Sequence, residues 1–402
     1  MKNRIFAIML FTVTTMSVAF YPFKHEGFAL ANIFNHQAAN GGIIVNEKNK
    51  IEVVFVLDTT GSMSGLIAAA KEKIWSIAST MASAQSSPEI KMGLVAYRDR
   101  GDAYVTKVVN LSHDLDSMYS KLMDFKAMGG GDGPESVNKA LSDAVSKISW
   151  SKDKGVYKVV FLIGDAPPHM DYQDEVKYPE ILKMAHKNGI VVNAIQSGNN
   201  HVTRSQWMHM ASLGQGEYFK VGQSGDAIAI STPYDRKMSV LSRKLDDTRM
   251  YYGTKAEKQK QQKKVNATRK LHATASSATR ARRAEFNVQK SGKLNRLGDN
   301  ELVDDVASGR VSIESIEKDK LPAAIVAMPK AQQLQVIQKK AKLRQDLIGK
   351  IKELGEKRKQ YIKTKVKKSG VAEESLDEKL YKTIRKQAGK KGLEYKSDSA
   401  AY

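Results

Sequence analysis

The chain has 402 residues, of which 41% are apolar, 7% are aromatic and none is cysteine. This composition predicts a globular protein with one full-sized domain and a second region. It excludes disulfides, thiolate metal sites and a cysteine nucleophile. The formal charge of +22 is uneven, because residues 251–402 contain 37 Lys and Arg against 18 Asp and Glu. We therefore expect this C-terminal part to contact an anionic membrane or an acidic envelope polymer.

The first 31 residues have the features of an export signal. Lys2 and Arg4 precede an apolar stretch over residues 5–20, and Ala29-Leu30-Ala31 provides a small-x-small cleavage site. Ser17-Val18-Ala19 is a second possible cleavage site. The alternative is an uncleaved membrane anchor, because this stretch is only slightly shorter than the roughly 18–20 residues that span a bilayer. Either interpretation predicts a periplasmic, secreted or envelope-associated protein, in which residues 32–47 form a linker. Nucleic acid is then not the expected partner.

Strand and helix patterns alternate over residues 48–247. Residues 51–57 predict a buried strand, and residues 63–83 carry apolar side chains at helical spacing. Further strands are predicted at 91–97, 104–111, 157–163, 190–195 and 217–221, and further helices at 136–148, 175–187 and 203–212. The alternation predicts an α/β fold with a doubly wound, mostly parallel sheet. The strand at 104–111 follows residue 97 too closely for a crossover helix, so we expect an antiparallel edge strand there.

The strand pattern ends near residue 249. Residues 248–298 are basic and polar, which is typical of a linker or a solvated helix. Residues 299–402 predict a second, basic and mainly helical region, with a longer helix over residues 331–367. The heptad pattern in that helix is short, so a coiled coil remains an open alternative.

Acidic and hydroxyl side chains follow the predicted strands. The set is Asp58, Thr60, Ser62, Asp132, Glu135 and Asp165. Asp58 and Asp165 each end an apolar strand, and the loop G-G-G-D-G-P-E lies between them in the chain. Because the carboxyl ends of parallel strands lie at one edge of a sheet, these three loops can meet there. Oxygen donors of this kind suit a hard divalent cation, either Mg²⁺ or one of the alternatives Mn²⁺ and Ca²⁺.

The stretch D-T-T-G-S-M that begins at Asp58 resembles the metal-ion-dependent adhesion site of the von Willebrand factor type A family, whose signature is D-x-S/T-x-S. The resemblance covers about residues 48–245 and implies a Rossmann-like binding module rather than an enzyme. In that family, the cation captures an acidic group of a partner protein. The implied metal ligands include Asp58, Thr60, Ser62 and Asp165.

The middle loop departs from the commonest version of this family, in which a threonine is the ligand. Asp132-Gly133-Pro134-Glu135 is more similar to the integrin β-subunit variety. That resemblance implies that Glu135 is the fourth metal contact and that Asp132 serves a neighbouring ion or supports the other ligands.

The same residues allow other interpretations. Thr60 or Ser62 taken alone could simply cap the following helix. L-D-T-T-G-S also resembles the aspartyl-phosphate loop of haloacid-dehalogenase-like phosphatases, with Asp58 as the nucleophile of a phosphoryl-transfer enzyme. However, position 60 is Thr instead of the second acid of that loop, and no acidic pair follows Asp165. Type A domains attached to α-kinases have similar loops, but residues 250–402 contain no kinase catalytic set.

Two further features have simpler explanations. Arg100-Gly101-Asp102 spells the tripeptide that some integrins recognise, but its position between two strands is ordinary turn chemistry. His169 follows Asp165 closely and could approach the metal edge. The sequence D-A-P-P-H is more simply a rigid loop, so we do not expect His169 to be a ligand.

Overall fold

The computed structural model describes residues 49–131, 133–222, 230–369 and 376–395. These residues all belong to one compact unit. The predicted export segment and the linker at residues 32–47 lie outside the described residues, as does Asp132. Within the described ranges, no helix is long and apolar enough to cross a membrane.

One sheet organises the N-terminal half of the described chain. Its strands are β1 (Lys50–Asp58), β2 (Glu89–Tyr97), β3 (Thr106–Ser112), β4 (Tyr157–Gly164), β5 (Ile190–Ser197) and β6 (Gln215–Val221). The strand order is β3-β2-β1-β4-β5-β6. All neighbouring strands are parallel except β2 and β3, so the prediction of a mostly parallel sheet with an antiparallel edge strand is confirmed.

Helices cover both faces of this sheet. They are α1 (Ser64–Ala82), α2 (Leu115–Asp124), α3 (Val137–Ser146), α4 (Tyr178–Lys187) and α5 (His201–Leu213). Alternate residues of β1 point to opposite faces, as the pleat of a strand requires. Phe55 packs in the same core as Trp75 of α1, whereas Val54 packs with Trp207 of α5 on the other face. Both strand faces are therefore buried, which explains why β1 is apolar throughout.

The C-terminal region is helical and packs on the sheet domain. Its helices are α6 (Asp235–Asp246), α7 (Lys255–Thr274), α8 (Ser277–Asn287), α9 (Lys293–Leu297), α10 (Leu302–Ala307), α11 (Lys330–Ser369) and α12 (Leu376–Gly389). The region predicted as a linker or a solvated helix forms α7, which is buried on one side, and α8, in which no residue is exposed. The longer helix predicted over residues 331–367 is confirmed as α11.

The last helix, α12, returns to the sheet. Leu380, Tyr381 and Ile384 belong to the same buried cluster as Phe55 of β1. Gln387 is hydrogen-bonded to both β4 and β5, because its side chain accepts from Tyr157 Oη at 2.7 Å and donates to Asn193 Oδ1 at 2.8 Å. Residues near the C-terminus thus complete the core of the N-terminal domain.

Candidate metal site

The first predicted loop forms at the carboxyl end of β1. The strand ends at Asp58, and a 3₁₀ turn at Gly61–Met63 leads directly into α1. The backbone N–H of Thr60 donates to Asp58 Oδ1 at 2.9 Å, and the Thr60 hydroxyl donates to the same oxygen at 2.6 Å. Thr60 Oγ1 lies 3.5 Å from Ser62 Oγ. The side chains of the D-x-T-x-S stretch therefore face one point.

The Asp58 carboxyl is fully buried, at 0% exposure. Its Oδ1 accepts the bonds from Thr60, but its Oδ2 has no hydrogen-bond partner among the described residues. Burial raises the pKa of Asp58 to about 7, the hydrogen bonds from Thr60 oppose this rise, and the negative charge of Asp165 adds to it. A buried carboxylate with an oxygen left over is electrostatically suited to a nearby cation.

The second loop, which contains Gly129, Gly130 and Glu135, is hydrogen-bonded to the first loop through the backbone. Met128 N–H donates to the carbonyl of Thr59 at 3.1 Å, and Gly61 N–H donates to the carbonyl of Gly129 at 3.0 Å. Gly130 has a φ of +79°, and a Cβ placed on it would lie 3.2 Å from Glu135 Oε1 and 3.3 Å from Thr60 Cβ. The absence of a side chain at Gly130 therefore lets the Glu135 carboxyl approach Thr60.

The third loop follows β4. Glu135 N–H donates to the carbonyl of Pro167 at 2.9 Å, and His169 N–H donates to the carbonyl of Glu135 at 3.1 Å. These two bonds hold the Glu135 segment against the loop that begins at Asp165. The third loop is also tied to α5, since the Thr203 hydroxyl donates to the carbonyl of Asp165 at 3.1 Å.

Tyr97 lies where the loops meet. A Cβ at Gly164 would collide with Tyr97 Oη and would lie 3.1 Å from Asp58 Oδ2, so only glycine fits between these groups. Burial raises the pKa of the Tyr97 hydroxyl well above its usual value, and the charges of Asp58, Glu135 and Asp165 add to this effect. The structure thus brings Asp58, Thr60, Ser62, Glu135 and Asp165 to the same sheet edge. Their binding of a metal stays a prediction.

Sequence reasoning missed the residue that braces the second and third loops. The Asp99 carboxylate, just beyond β2, accepts from the Ser136 hydroxyl at 2.7 Å and from Tyr172 Oη at 3.0 Å. His169 Nε2 lies 3.3 Å from the same carboxylate, and its ring stacks on Tyr172 at 3.9 Å. One signal was available, because D-R-G-D follows a strand that ends at the same edge as Asp58.

The charged side chains of the Arg-Gly-Asp stretch are engaged within the fold. Asp102 accepts from the backbone N–H of Gly130 at 3.0 Å, and Arg100 pairs with Asp174 and Glu175. Asp102 therefore supports the turn at Gly129 and Gly130 instead of presenting a recognition peptide.

The donor set suits a hard cation. In the part of the chain that the structure describes, no three Asp, Glu, His or Cys side chains form a metal cluster by themselves. The hydroxyls of Thr60 and Ser62 lie beside the Asp58 carboxylate at this edge. Such an all-oxygen set, with part of the shell left to water, fits Mg²⁺ and the related ions Mn²⁺ and Ca²⁺. The unpartnered Asp58 Oδ2 supplies the position where such an ion would be bound.

Comparisons with known proteins give a family match and several structural relatives. The family model described as von Willebrand factor A domain matches residues 52–232. A search of curated proteins finds no match. Among solved structures, the chain is similar to proximal thread matrix protein 1 from the mussel byssus, at 15% identity over 44% of this chain and 42% of that chain, with a TM-score of 0.35.

Two further structures have comparable scores. One is the same mussel protein with a zinc-occupied MIDAS motif, at 17% identity over 45% of this chain and 43% of that chain, with a TM-score of 0.35. The other is the SpRpn10 VWA domain, at 14% identity over 46% of this chain and 100% of that domain, with a TM-score of 0.35. The chain thus spans less than half the length of the mussel proteins.

Proposed function

Residues 52–232 belong to the von Willebrand factor A domain family, and from this premise we propose that they form a metal-dependent protein-binding module. A divalent cation, Mg²⁺ or alternatively Mn²⁺ or Ca²⁺, binds at the carboxyl edge of the sheet and captures an acidic group of a partner protein. The observation that carries this proposal is the buried Asp58 carboxyl, whose Oδ1 is bonded by Thr60 and whose Oδ2 has no partner among the described residues.

The chain's own residues define the chemistry of this edge. The residues that would hold the ion are Asp58, Thr60, Ser62, Glu135 and Asp165. The bound ion would act as a Lewis acid toward an incoming carboxylate. Thr60 fixes the Asp58 carboxyl, and the neutral hydroxyls of Thr60 and Ser62 leave positive charge on the ion for the partner's acid. The surrounding loops would determine which protein is recognised.

We propose binding rather than phosphoryl transfer. A nucleophilic aspartate must reach a phosphorus atom, whereas Asp58 is buried and its Oδ1 accepts two bonds from Thr60. The two functions can be separated with an aryl phosphate substrate. A phosphatase would hydrolyse it and lose that activity in Asp58→Asn, whereas a binding module would leave it intact.

The metal site is tested by calorimetric titration of the full chain with Mg²⁺. Asp58→Ala and Asp165→Ala should each abolish binding, because each removes an anionic ligand. The matched control is Asp319→Ala, which removes an exposed acid remote in sequence from the three loops and should bind as the wild type does. Unchanged affinity in both site variants, with intact far-UV circular dichroism, would rule the site out.

Partner capture is tested by a pull-down with and without a chelator. Proteins recovered with Mg²⁺, lost with EDTA and lost in the Asp58→Ala variant would be metal-dependent partners. The captured segment should contain an essential Asp or Glu, which alanine substitution in the partner would identify. If the same proteins are recovered in EDTA, their capture does not depend on the metal ion.

We also propose that the module acts outside the cytoplasm, on the basis of Lys2, Arg4 and the apolar stretch that follows them. Fractionation with N-terminal sequencing tests this. A mature chain starting near residue 32 would support cleavage after Ala31, and an intact N-terminus in the membrane fraction would support the anchor. A full-length chain confined to the cytoplasm would contradict export.

A further inference from the structure

Three large apolar side chains lie exposed at the carboxyl edge of the sheet, where the candidate metal site is. They are Met128 at 58% exposure, Met170 at 41% and Val202 at 61%, and we call them the apolar collar. Met128 belongs to the second loop, Met170 to the third loop and Val202 to the first turn of α5, which follows β5. Single exposed apolar residues are normal in proteins, so what distinguishes these three is their common position beside one site.

Two of the collar residues adjoin hydrogen bonds that reach the first and third loops. The backbone N–H of Met128 donates to the carbonyl of Thr59, in the first loop, at 3.1 Å. Val202 directly precedes Thr203, whose hydroxyl donates to the carbonyl of Asp165 at 3.1 Å. These bonds place Met128 and Val202 beside two of the loops that carry predicted ligands.

The third collar residue, Met170, lies near Glu135. It directly follows His169, whose N–H donates to the carbonyl of Glu135 at 3.1 Å. Asn138, three residues beyond Glu135, has its Nδ2 4.0 Å from Met170 Sδ. The collar therefore has one member beside each of the three loops.

The fold does not require apolar side chains at these positions. The N–H of residue 128 can make its hydrogen bond with any side chain except proline. Val202 is the second residue of α5, where an acidic side chain would be favoured, yet the first turn of α5 contains no acid. Methionine side chains are flexible and adapt to the surface of a bound partner. Contact with a partner therefore explains the collar better than folding does.

The charge of the third loop restricts what a partner can place there. Asp171 and Asp174 follow Met170 in the chain, and both carboxylates are exposed. Arg100 pairs with Asp174 and Glu175, so these four charged side chains together keep a net negative charge. A partner segment with several neighbouring acids would be repelled at this loop, whereas a single acid with apolar neighbours would not.

We propose that the apolar collar selects partner proteins whose metal-binding Asp or Glu is flanked by large apolar side chains. This inference rests on the proposed metal-dependent capture and specifies the chemistry of the captured segment. When the flanking side chains pack on the collar, they exclude water from the contact between the ion and the acid, and the lower dielectric strengthens that contact. Three side chains are too few to hold two copies of the chain together, because a stable interface buries about 800 Å² per partner.

Selection of phage-displayed random peptides on the full chain tests this preference. Peptides are bound in Mg²⁺ and eluted with EDTA. We expect the eluted sequences to contain an Asp or Glu with a neighbouring Leu, Ile, Met, Phe or Trp more often than the unselected library does. Eluted sequences that contain the acid without this enrichment would overturn the role of the collar and leave metal-dependent capture standing. If EDTA elutes no peptide, metal-dependent capture fails, and the inference that rests on it fails as well.

Matched variants test the collar with the selected peptide that binds best. Met128→Ser/Met170→Ser should bind it about tenfold more weakly, and Val202→Ser about threefold, because apolar contact area is lost. Met184→Ser/Met208→Ser is the control, since it replaces two methionines that are exposed at 43% and 47% on helices α4 and α5 instead of in the loops. The control should bind as the wild type does. Met128→Leu/Met170→Leu keeps the apolar surface and should bind nearly as well.

Calorimetric titration with Mg²⁺ separates the collar from the metal ligands. Met128→Ser/Met170→Ser should keep the Mg²⁺ affinity of the wild type, because neither side chain is a predicted ligand. A loss of Mg²⁺ affinity that matches its loss of peptide binding would overturn the proposal, as would equal peptide binding by this variant and the control. If a circular dichroism melt shows that the double variant is misfolded, Val202→Ser decides the question, since it changes one exposed side chain.

Discussion

At the scale of single residues, Asp58 and Thr60 show how hydrogen bonds within the first loop orient its carboxylate. Both hydrogen atoms that Thr60 can donate, from its backbone and its hydroxyl, go to Asp58 Oδ1. This leaves Oδ2 as the buried oxygen without a partner among the described residues. The Thr60 hydroxyl therefore orients the Asp58 carboxylate. It also lies close enough to Ser62 Oγ for both hydroxyls to contact one ion.

Replacing Thr60 tests both effects together. Thr60→Val keeps the shape of the side chain but removes the hydroxyl, so a buried carboxylate loses a short hydrogen bond. We expect the free energy of unfolding to fall by about 1–3 kcal/mol and Mg²⁺ binding to be lost. Thr60→Ser restores the hydroxyl and should recover most of both. Urea unfolding and calorimetry measure the two quantities, and a Thr60→Val variant that binds Mg²⁺ normally would contradict this role.

The sequence pattern placed the D-x-T-x-S loop and Asp165 at one edge, because both follow apolar parallel strands. It did not identify Tyr97 and Asp99, whose roles depend on side chains far away in sequence. Asp99 matters through its bonds to Ser136 and Tyr172, 37 and 73 residues away. No local pattern encodes such contacts, so they could be found only from the folded chain.

At the scale of helices and strands, apolar periodicity predicted those elements whose buried side chains are mainly apolar. The strands of the sheet and helices α1, α3, α4, α5 and α11 agree with their predicted positions within a few residues. Helix α2 was not predicted, although Leu115, Met118, Tyr119 and Leu122 recur at helical spacing and form its buried face. Helices α7 and α8 lie in the region predicted as a linker or a solvated helix. Their packing was not predicted because many of their buried side chains are polar, such as Thr268 and Arg283.

Helix α12 provides a test of how far the C-terminal residues stabilise the sheet domain. Ile384 is fully buried against the sheet. We expect Ile384→Ala to lower the free energy of unfolding by about 2–4 kcal/mol, because it leaves a cavity in the core shared with β1. The exposed Lys379→Ala on the same helix should change it by less than about 0.5 kcal/mol. Equal urea midpoints for both variants would show that α12 does not belong to this core.

At the scale of the whole molecule, a buried ionic network joins the two regions. Arg283 of α8 donates to Asp116 of α2 at 2.7 Å and to Asp246 of α6 at 2.8 Å, and all three are almost completely buried. Burial alone would raise the pKa of both carboxyls, but Arg283 and neighbouring cations outweigh it and hold both values well below the usual range. The charged and titratable side chains around this pair are Arg249, Lys264, His272 and Arg283.

This network predicts a specific loss of stability in acid. Because the pKa values of Asp116 and Asp246 are lowered by folding, the unfolded chain binds more protons than the folded one below the ordinary value of about 3.8. The stabilisation is complete above that value and decreases as the pH falls below it. We expect a loss of about 1 kcal/mol per carboxyl between pH 5 and pH 3.

Urea unfolding at pH 7, 5, 4 and 3 measures this dependence. Asp116→Asn should lower stability at pH 7 and flatten the acid slope, since one of the two titrating groups is gone. An exposed substitution, Lys183→Gln, should leave the slope unchanged, because its pair with Glu180 lies at the surface. The same slope in wild type and Asp116→Asn would contradict the role of the network.

The most direct measurement of the central claim is an anomalous difference map from crystals of the full chain grown with Mn²⁺. We predict a peak at the carboxyl edge of the sheet, within about 2.0–2.6 Å of oxygens from Asp58, Ser62 and at least one residue of the other two loops. The peak should vanish in Asp58→Ala crystals. A map with no Mn²⁺ at this edge, or with the ion bound elsewhere, would contradict the claim that these loops form a cation site.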